Sequence, residues 1–461
     1  MTIVIHNAAI VTVDDADSVH YNAAVAIDGD RIAAIGPSAD ILASYPGAEK
    51  IDGTGKLVMP GFANIHTHFT MTLARGVFED LSPSHKPPFS GGLSPIPLPD
   101  MTPDERRAFA LLGALEALRS GTTHVLEDSN DVDHYAGALA DTGMRFLLAE
   151  RAYDRIGTSI GDPALYQLDR ALGQGHIKNI ERNHRDWNGK ADGRMRIAIS
   201  AWAPDMCSPE LLQDLSALQK QLDNRITIHL NQIWGEVAAV RAHRNRLPTE
   251  FLADLGFLND RIICAHCRCM EPSEEKLLGE AKVNVSFNSA IAARRGLSPR
   301  VADLESYGCN IGMGSDNMAE DMVEVMRTGL FMERVRREDG REPTPERALR
   351  WATRNGYRAL GVPDGGWLAP GNKADLIMVD LQRAHLIPVL RVVSDFVHNG
   401  QARDVQSVMV DGKWVMKDGA VLTMDEDKIL HDAQRIANEA WSRTFKTRFT
   451  PPAGFSPDAL P

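Results

Sequence analysis

Eight short apolar runs, mostly separated by helix-like segments, constrain this chain more than any other feature. They read KLVMPGFANIH, THVLED, MRFLLAE, MRIAISAW, RITIHLN, RIICAHC, VNVSFN and NIGMGSD. Helices packed on both sides of a parallel sheet leave neither face to water, so its strands read as nearly continuous apolar stretches. Eight such strand–helix units predict an α/β fold, a closed (β/α)8 TIM-type barrel, over residues 59–370. One helix is legible in detail. Thr102-Pro103-Asp104-Glu105 forms a capping box with proline at the first helical position, Phe109, Leu112 and Leu115 share a face, and Gly121 ends it.

The two ends follow a different rule. TIVIHNAAIVTVD, AAVAIDGDRIAAIG and GKLVMPG near the start, then ADLIMVDL and VQSVMVDGKWVMKDGAV near the close, alternate like strands and turn at Asp-Gly. They predict a small composite β-sandwich domain from residues 1–58 and 371–425, followed by a C-terminal helix and tail over 426–461. Residues 77–101, dense in Pro and Gly, read as a lid or mobile loop. Residues 152–190 read as a polar, more helical insertion, and the proline-rich last residues as a draped tail.

Charge and composition narrow the function classes. A net charge of −12 over 461 residues argues against a nucleic-acid surface, which needs a basic stripe. MTIVIHNAAIVTVDD lacks the basic start and long apolar run of a secretory signal, and no window suits a membrane span. The expectation is a cytoplasmic protein with a small-molecule substrate, no nucleic-acid or membrane partner, and a homo-oligomeric state. Five cysteines, an odd number, read as reduced thiols. Cys264, Cys267 and Cys269 are too tightly spaced, with no second CxxC, to favour a structural zinc site.

In a barrel of this type the chemistry lies where strands end. The first run ends in His66 and His68, the fifth near His229, the sixth at His266 and the eighth at Asp316. His66 and His68 are two apart, so an extended strand turns both imidazoles to one side. Any single histidine of this kind is more often a satisfied core or loop residue. Four histidines and an aspartate on one rim predict a shared divalent metal ion.

PGFANIHTH, TIHLN, ICAHC, GMGSDN and the late LAPGNKADLIMVD resemble the amidohydrolase superfamily, most nearly its cytosine deaminase and triazine hydrolase branch. The resemblance spans nearly the whole chain. It implies that His66, His68, His229 and Asp316 hold metal, that Asp316 also moves protons, and that His266 orients the attacking water or the developing oxyanion. The fourth run, MRIAISAW, lacks the bridging lysine of two-metal members, so one ion is implied, zinc foremost, with iron, cobalt or manganese as alternatives.

Three departures fall at positions that face substrate in the branch. Gln232 stands where deaminases of the branch carry a proton-shuttling glutamate, and an amide moves no proton. Glu236, one helical turn on, is a possible substitute. Trp202 stands in place of a histidine before Ala-Pro, and Phe287 and Ala292 occupy the places of a histidine and a Ser-Asn pair. Trp202, Phe287 and Gln232 are therefore the expected substrate contacts, with Trp202 and Phe287 as rim packing the competing reading. Arg294 and Arg295 are more readily solvated than anion-binding. The expectation is a metal-dependent hydrolase of a non-peptide C–N bond, of amide, urea or carbamate type, in a rather apolar small molecule. Hydrolytic deamination or dechlorination of a triazine, pyrimidine or purine ring is the alternative. A non-catalytic scaffold is the rival of another class.

Overall fold

The structure, a computed structural model, describes residues 2–79, 85–87, 96–157, 159–162 and 166–445. Most of the stretch expected to form a lid and the whole proline-rich tail lie outside them. Eight parallel strands close into a barrel: Phe62–Thr67, Thr122–Ser129, Arg145–Ala152, Met195–Ala201, Ile226–Leu230, Ile262–His266, Asn284–Phe287 and Asn310–Met313, the last pairing with the first through Met313 and Asn64. All eight expected runs contribute a strand.

Strand parity divides the barrel into two layers. Val125, Phe146, Leu148, Ile197, Ile199, Ile226, Ile228, Ile262 and Cys264 belong to the large buried cluster that includes helix residues such as Leu211, Leu215 and Val323. Their neighbours Leu126, Leu147, Ala149, Ala198 and Ile263 join Tyr357 and Leu360 in a separate cluster. That second cluster fills the barrel interior, which is a packed core and not a pore.

The two chain ends build one mixed sheet of nine strands, in which Lys56–Pro60 pairs with both Thr2–Val11 and Leu376–Asp380. The run KLVMPGFANIH is thus two strands, split at Gly61 where the chain passes from sheet to barrel. A Cβ at Gly61 would lie 2.2 Å from Thr123 side-chain atoms, so only glycine lets the first two barrel strands meet there. Arg145, buried at the start of the third barrel strand, ties the two parts together through ion pairs to Asp375 and Asp411 at 3.1 and 2.6 Å. The capped helix forms as expected over Pro103–Arg119, with the Thr102 hydroxyl accepting from the Glu105 N–H and the Glu105 carboxylate accepting from the Thr102 N–H. The segment after the third strand supplies the helix Arg170–Trp187, and Glu426–Phe445 forms the last helix. No described helix is long and apolar enough to cross a membrane.

Candidate metal centre

The strand ends that carry His66, His68 and Asp316 are locked together by backbone. The Asp316 N–H donates to the His66 carbonyl at 3.0 Å, and the His68 N–H donates to the Asp316 carbonyl at 2.8 Å. Beneath them Asn64, Thr67, Ser315 and Glu320 form a buried hydrogen-bond network, with Asn64 Nδ2 2.7 Å from Ser315 Oγ and Thr67 Oγ1 2.7 Å from Glu320 Oε2. His266 and Asp316 adopt left-handed backbone conformations, with φ of 79° and 72°. A non-glycine residue held there is strained, and such strain collects where a side chain must be aimed.

His68 and His229 are each oriented by the far ring nitrogen. His68 Nδ1–H donates to the Asp128 carbonyl at 2.6 Å, and His229 Nδ1–H donates to the Trp202 carbonyl at 2.8 Å. Both Nε2 atoms are thereby left as acceptors, and they lie 3.2 Å apart. The His66 ring sits edge-on at 4.7, 4.8 and 5.2 Å from the rings of His68, His229 and His266. Asp316 Oδ1 is 3.7 Å from His68 Nε2, and its Oδ2 is 3.7 Å from His266 Nδ1. His266 differs from the others: the Asn288 amide donates to its Nδ1 at 3.1 Å, while Asn288 Oδ1 accepts from Ser286 Oγ at 2.6 Å. Its Nε2 therefore carries the proton and points onward as a donor.

These residues fit a divalent cation. Both His66 ring nitrogens, Asp316 Oδ2 and Asp128 Oδ2 are buried and have no hydrogen-bond partner, a costly state unless something electropositive sits between them. Burial holds His66 well below the ordinary imidazole range and His229 down to about 3, so both are neutral and ready to ligate. Burial pushes Asp316 up, while His68, Arg268 and Arg295 pull it back. His66, His68, Asp128 and His229 place ligand atoms within 4.8 Å of one another, as do His66, His266 and Asp316. No cysteine belongs to either group, and all five are buried free thiols.

Besides Asn288, two residues at this centre escaped the sequence reading. Asp128 closes the second barrel strand, with Oδ2 3.7 Å from His229 Nδ1 and Oδ1 3.3 Å from Arg151 Nε. Burial raises the Asp128 carboxyl, but Arg151, His229 and His68 outweigh it and hold the group ionised. Arg151 closes the third strand, and its guanidinium lies 5.3 Å over the Trp202 ring. The signal was available: Leu126 and Asp128, like Leu147, Ala149 and Arg151, share one parity, and that parity faces the barrel interior.

A cavity of about 400 Å³ opens onto the centre. His68, Asp128, His229 and Asp316 form its floor, Trp202, Arg151 and Gln232 one side, and Met71, Phe78, Leu98, Met101 and Ile160 an apolar wall. Trp202 and Gln232 are thus at the cavity, and Gln232 Oε1 is buried without a partner. Phe287 is not. It shares the parity of Val285 and packs in the strand–helix layer, where a Cβ on Gly329 would meet its ring at 3.1 Å. Asn288, the residue after it, bonds His266 instead. Glu236 does not reach the cavity either. Its carboxylate accepts from the Asn231 and Gln232 N–H groups at 2.8 and 2.7 Å and braces the turn after the fifth strand. Ala292 is buried in the short helix Ser289–Arg295.

Residues 57–415 match the model of the Amidohydrolase family, and residues 23–48 match an imidazolonepropionase-like composite domain of bacteria. The chain is 32% identical over 444 residues to a 5-methylthioadenosine/S-adenosylhomocysteine deaminase of Pelotomaculum thermopropionicum, covering 94% of this chain and 98% of the relative. It is 33% identical over 424 residues to a 5'-deoxyadenosine deaminase of Methanothermobacter thermautotrophicus, covering 90% and 94%. Among solved structures, an adenosine deaminase from Xanthomonas campestris with bound zinc superposes with a TM-score of 0.84 at 24% identity, over 95% of this chain and 98% of that one. An atrazine chlorohydrolase from Arthrobacter aurescens complexed with zinc gives 0.82 at 20% identity, over 94% and 100%. At those identities the two structures speak to the fold.

Proposed function

Since the chain belongs to the amidohydrolase family, whose activity here is hydrolysis of carbon–nitrogen bonds other than peptide bonds, we propose that it is a metal-dependent deaminase of an amino-substituted heteroaromatic ring. One observation carries the hydrolytic reading: ligand atoms of His66, His68, Asp128 and His229 lie within 4.8 Å of one another, as do those of His66, His266 and Asp316, and of these we take His66, His68, His229 and Asp316 as the ligand set. The ring substrate rests on the relatives, both named as deaminases of adenosine-type compounds.

In this reading the four residues hold one divalent ion, with zinc favoured by the neutral nitrogen-rich donor set and by the zinc in two structural neighbours. Such an ion supplies the Lewis acidity that lets a water molecule ionise near neutral pH. Asp316 accepts the water's proton on a carboxylate oxygen and returns it to the leaving nitrogen as ammonia departs. His266 Nε2–H donates to the oxygen added at the attacked carbon. Gln232 Oε1 accepts from the ring's amino group and fixes its orientation without carrying a proton. Trp202 and the apolar wall enclose the ring faces. Asp128 and Arg151 keep His68 and His229 in register.

Gln232 favours a second reading, hydrolysis of a urea, carbamate or amide, which needs no protonation of a ring nitrogen. A substrate panel separates the two. With metal supplied, ammonia release from 5'-deoxyadenosine-type nucleosides or aminotriazines supports the first. Amine release from aryl ureas, carbamates or anilides, with no ammonia from rings, supports the second. A protein that holds stoichiometric metal and hydrolyses neither class overturns both. We further place the enzyme in the cytoplasm, consistent with five free thiols. Exposed Phe331 and Val335, one turn apart on the helix Met322–Arg337, suit contact with a second copy of the chain.

A further inference from the structure

The opposite mouth of the barrel has its own polar cavity. Arg196 opens the fourth strand, Asn224 and Arg225 precede the fifth, and Arg261 precedes the sixth. Parallel pairing sets these starts side by side: the Ile199 N–H donates to the Arg225 carbonyl at 3.0 Å, and the Ile226 N–H donates to the Arg261 carbonyl at 3.3 Å. The four polar residues line a cavity of about 180 Å³ floored by Leu147 and Leu360. Both leucines belong to the cluster that fills the barrel interior, so this cavity is sealed from the metal centre.

Its electrostatics are one-sided. Arg261 pairs with Asp223. Neither Arg196 nor Arg225 has a carboxylate within ion-pair reach among the described residues, so one lining carboxylate faces three lining guanidiniums. Asp260 opposes them from outside the lining. Burial and the charges of Arg261 and Arg196 pull Arg225 down to about 10. The Arg225 guanidinium is pressed against Gly361, where a Cβ would come within 2.8 Å of Nε. Asn224, 6% exposed, turns a buried amide nitrogen into the cluster with no partner at all. Arg196 and Arg261 reach solvent, so the unmet demand falls on the half-buried Arg225 guanidinium and on the buried Asn224 amide nitrogen, which an anion would satisfy.

We propose that this mouth is an oxyanion site, in which the Arg196, Arg225 and Arg261 guanidiniums and the Asn224 amide bind a phosphate group. The three guanidiniums and the Asn224 side-chain nitrogen are donors that outnumber the one lining carboxylate, Asp223, and guanidinium forks match phosphate oxygens. The volume equals that of about six water molecules, enough for one phosphate with any attached group projecting outward. Free inorganic phosphate and the phosphoryl group of a small metabolite share this chemistry.

Equilibrium dialysis of the metal-loaded enzyme tests it, with labelled inorganic phosphate in one arm and a sugar phosphate in the other, at constant ionic strength in chloride. The expected result is one saturable site per chain, weakened at least tenfold in Arg225→Gln and in the exposed-site variant Arg196→Gln, with metal content unchanged in both. Tighter binding of the sugar phosphate identifies a phosphorylated metabolite as the ligand, and tighter binding of inorganic phosphate identifies the free ion. Absence of saturable binding overturns the proposal. Binding that survives both substitutions also overturns it, by locating the anion elsewhere, as at the metal. Either failure leaves the deaminase reading standing, since that reading is scored by ammonia release.

Discussion

The Gln232 N–H donates to the Glu236 carboxylate at 2.7 Å, so the acid nearest the expected proton shuttle is spent on holding backbone. Burial raises Glu236 well above the ordinary carboxyl range, with Asp205 adding like charge. The cavity itself presents an amide. Replacing Gln232 by Glu should add an ionisation to the pH–rate profile and raise ammonia release from ring substrates by up to about a hundredfold. Gln232→Ala should lower kcat/KM by roughly tenfold, the loss of one hydrogen bond. An unchanged profile in Gln232→Glu would mean that Asp316 alone governs proton movement.

The histidines should divide by role. His229→Ala is expected to lose metal and turnover together, as read by elemental analysis and ammonia assay. His266→Gln should retain metal and lose about 100- to 1,000-fold in kcat, as for a lost oxyanion donor. Equal activity in both variants would move the reaction centre elsewhere.

Asp128→Asn tests the residue that the strand-end reading overlooked. The Asp128 backbone carbonyl bond to His68 survives the change, so the experiment isolates the carboxylate beside His229. Metal affinity should fall about 10- to 100-fold in a competitive chelator titration. Unaltered affinity would restrict Asp128 to neutralising Arg151.

Asp375→Ala should be among the most destabilising changes outside the centre. It leaves Arg145 buried with only Asp411, and removes the acceptor of the Tyr357 hydroxyl at 2.8 Å. Breaking a buried pair from one side costs about 3–5 kcal/mol, measurable as a drop in the denaturant midpoint with the slope unchanged.

His124 gives a pH test that involves no metal ligand. It is fully buried at the start of the second barrel strand, and burial with nearby Arg145, Arg196 and Arg225 holds it well below its ordinary value of 6.5. The folded state keeps it neutral while the unfolded chain protonates below 6.5, so the unfolded state binds more protons and stability falls as pH drops. The wild type should lose about 1.4 kcal/mol per pH unit below 6.5 relative to His124→Leu. A difference that stays constant from pH 7.5 to 5 would contradict this.

The barrel, the composite sheet and the convergence of His66, His68, His229, His266 and Asp316 were legible in the sequence. Each depends on a local pattern: apolar runs of strand length, turn residues between them, and polar residues where a run stops. Facing was harder to read. Phe287 and Asn288 are adjacent, yet one packs against a helix and the other bonds His266. A four-residue strand gives too short a pattern to fix its parity. Gln232 and Glu236 are four apart in the chain, but only the folded turn decides which of them meets the cavity. Asp128 and Arg151 gain their meaning from each other across two strands, and Arg196, Arg225 and Arg261 from the closure of the barrel beneath the centre. The sequence by itself determined the elements and the strand ends that carry the histidines and Asp316, because backbone propensity and burial act over a few neighbouring residues. Tertiary structure alone decided which charges share a cavity, because Coulombic and hydrogen-bond partners are chosen by distance in space.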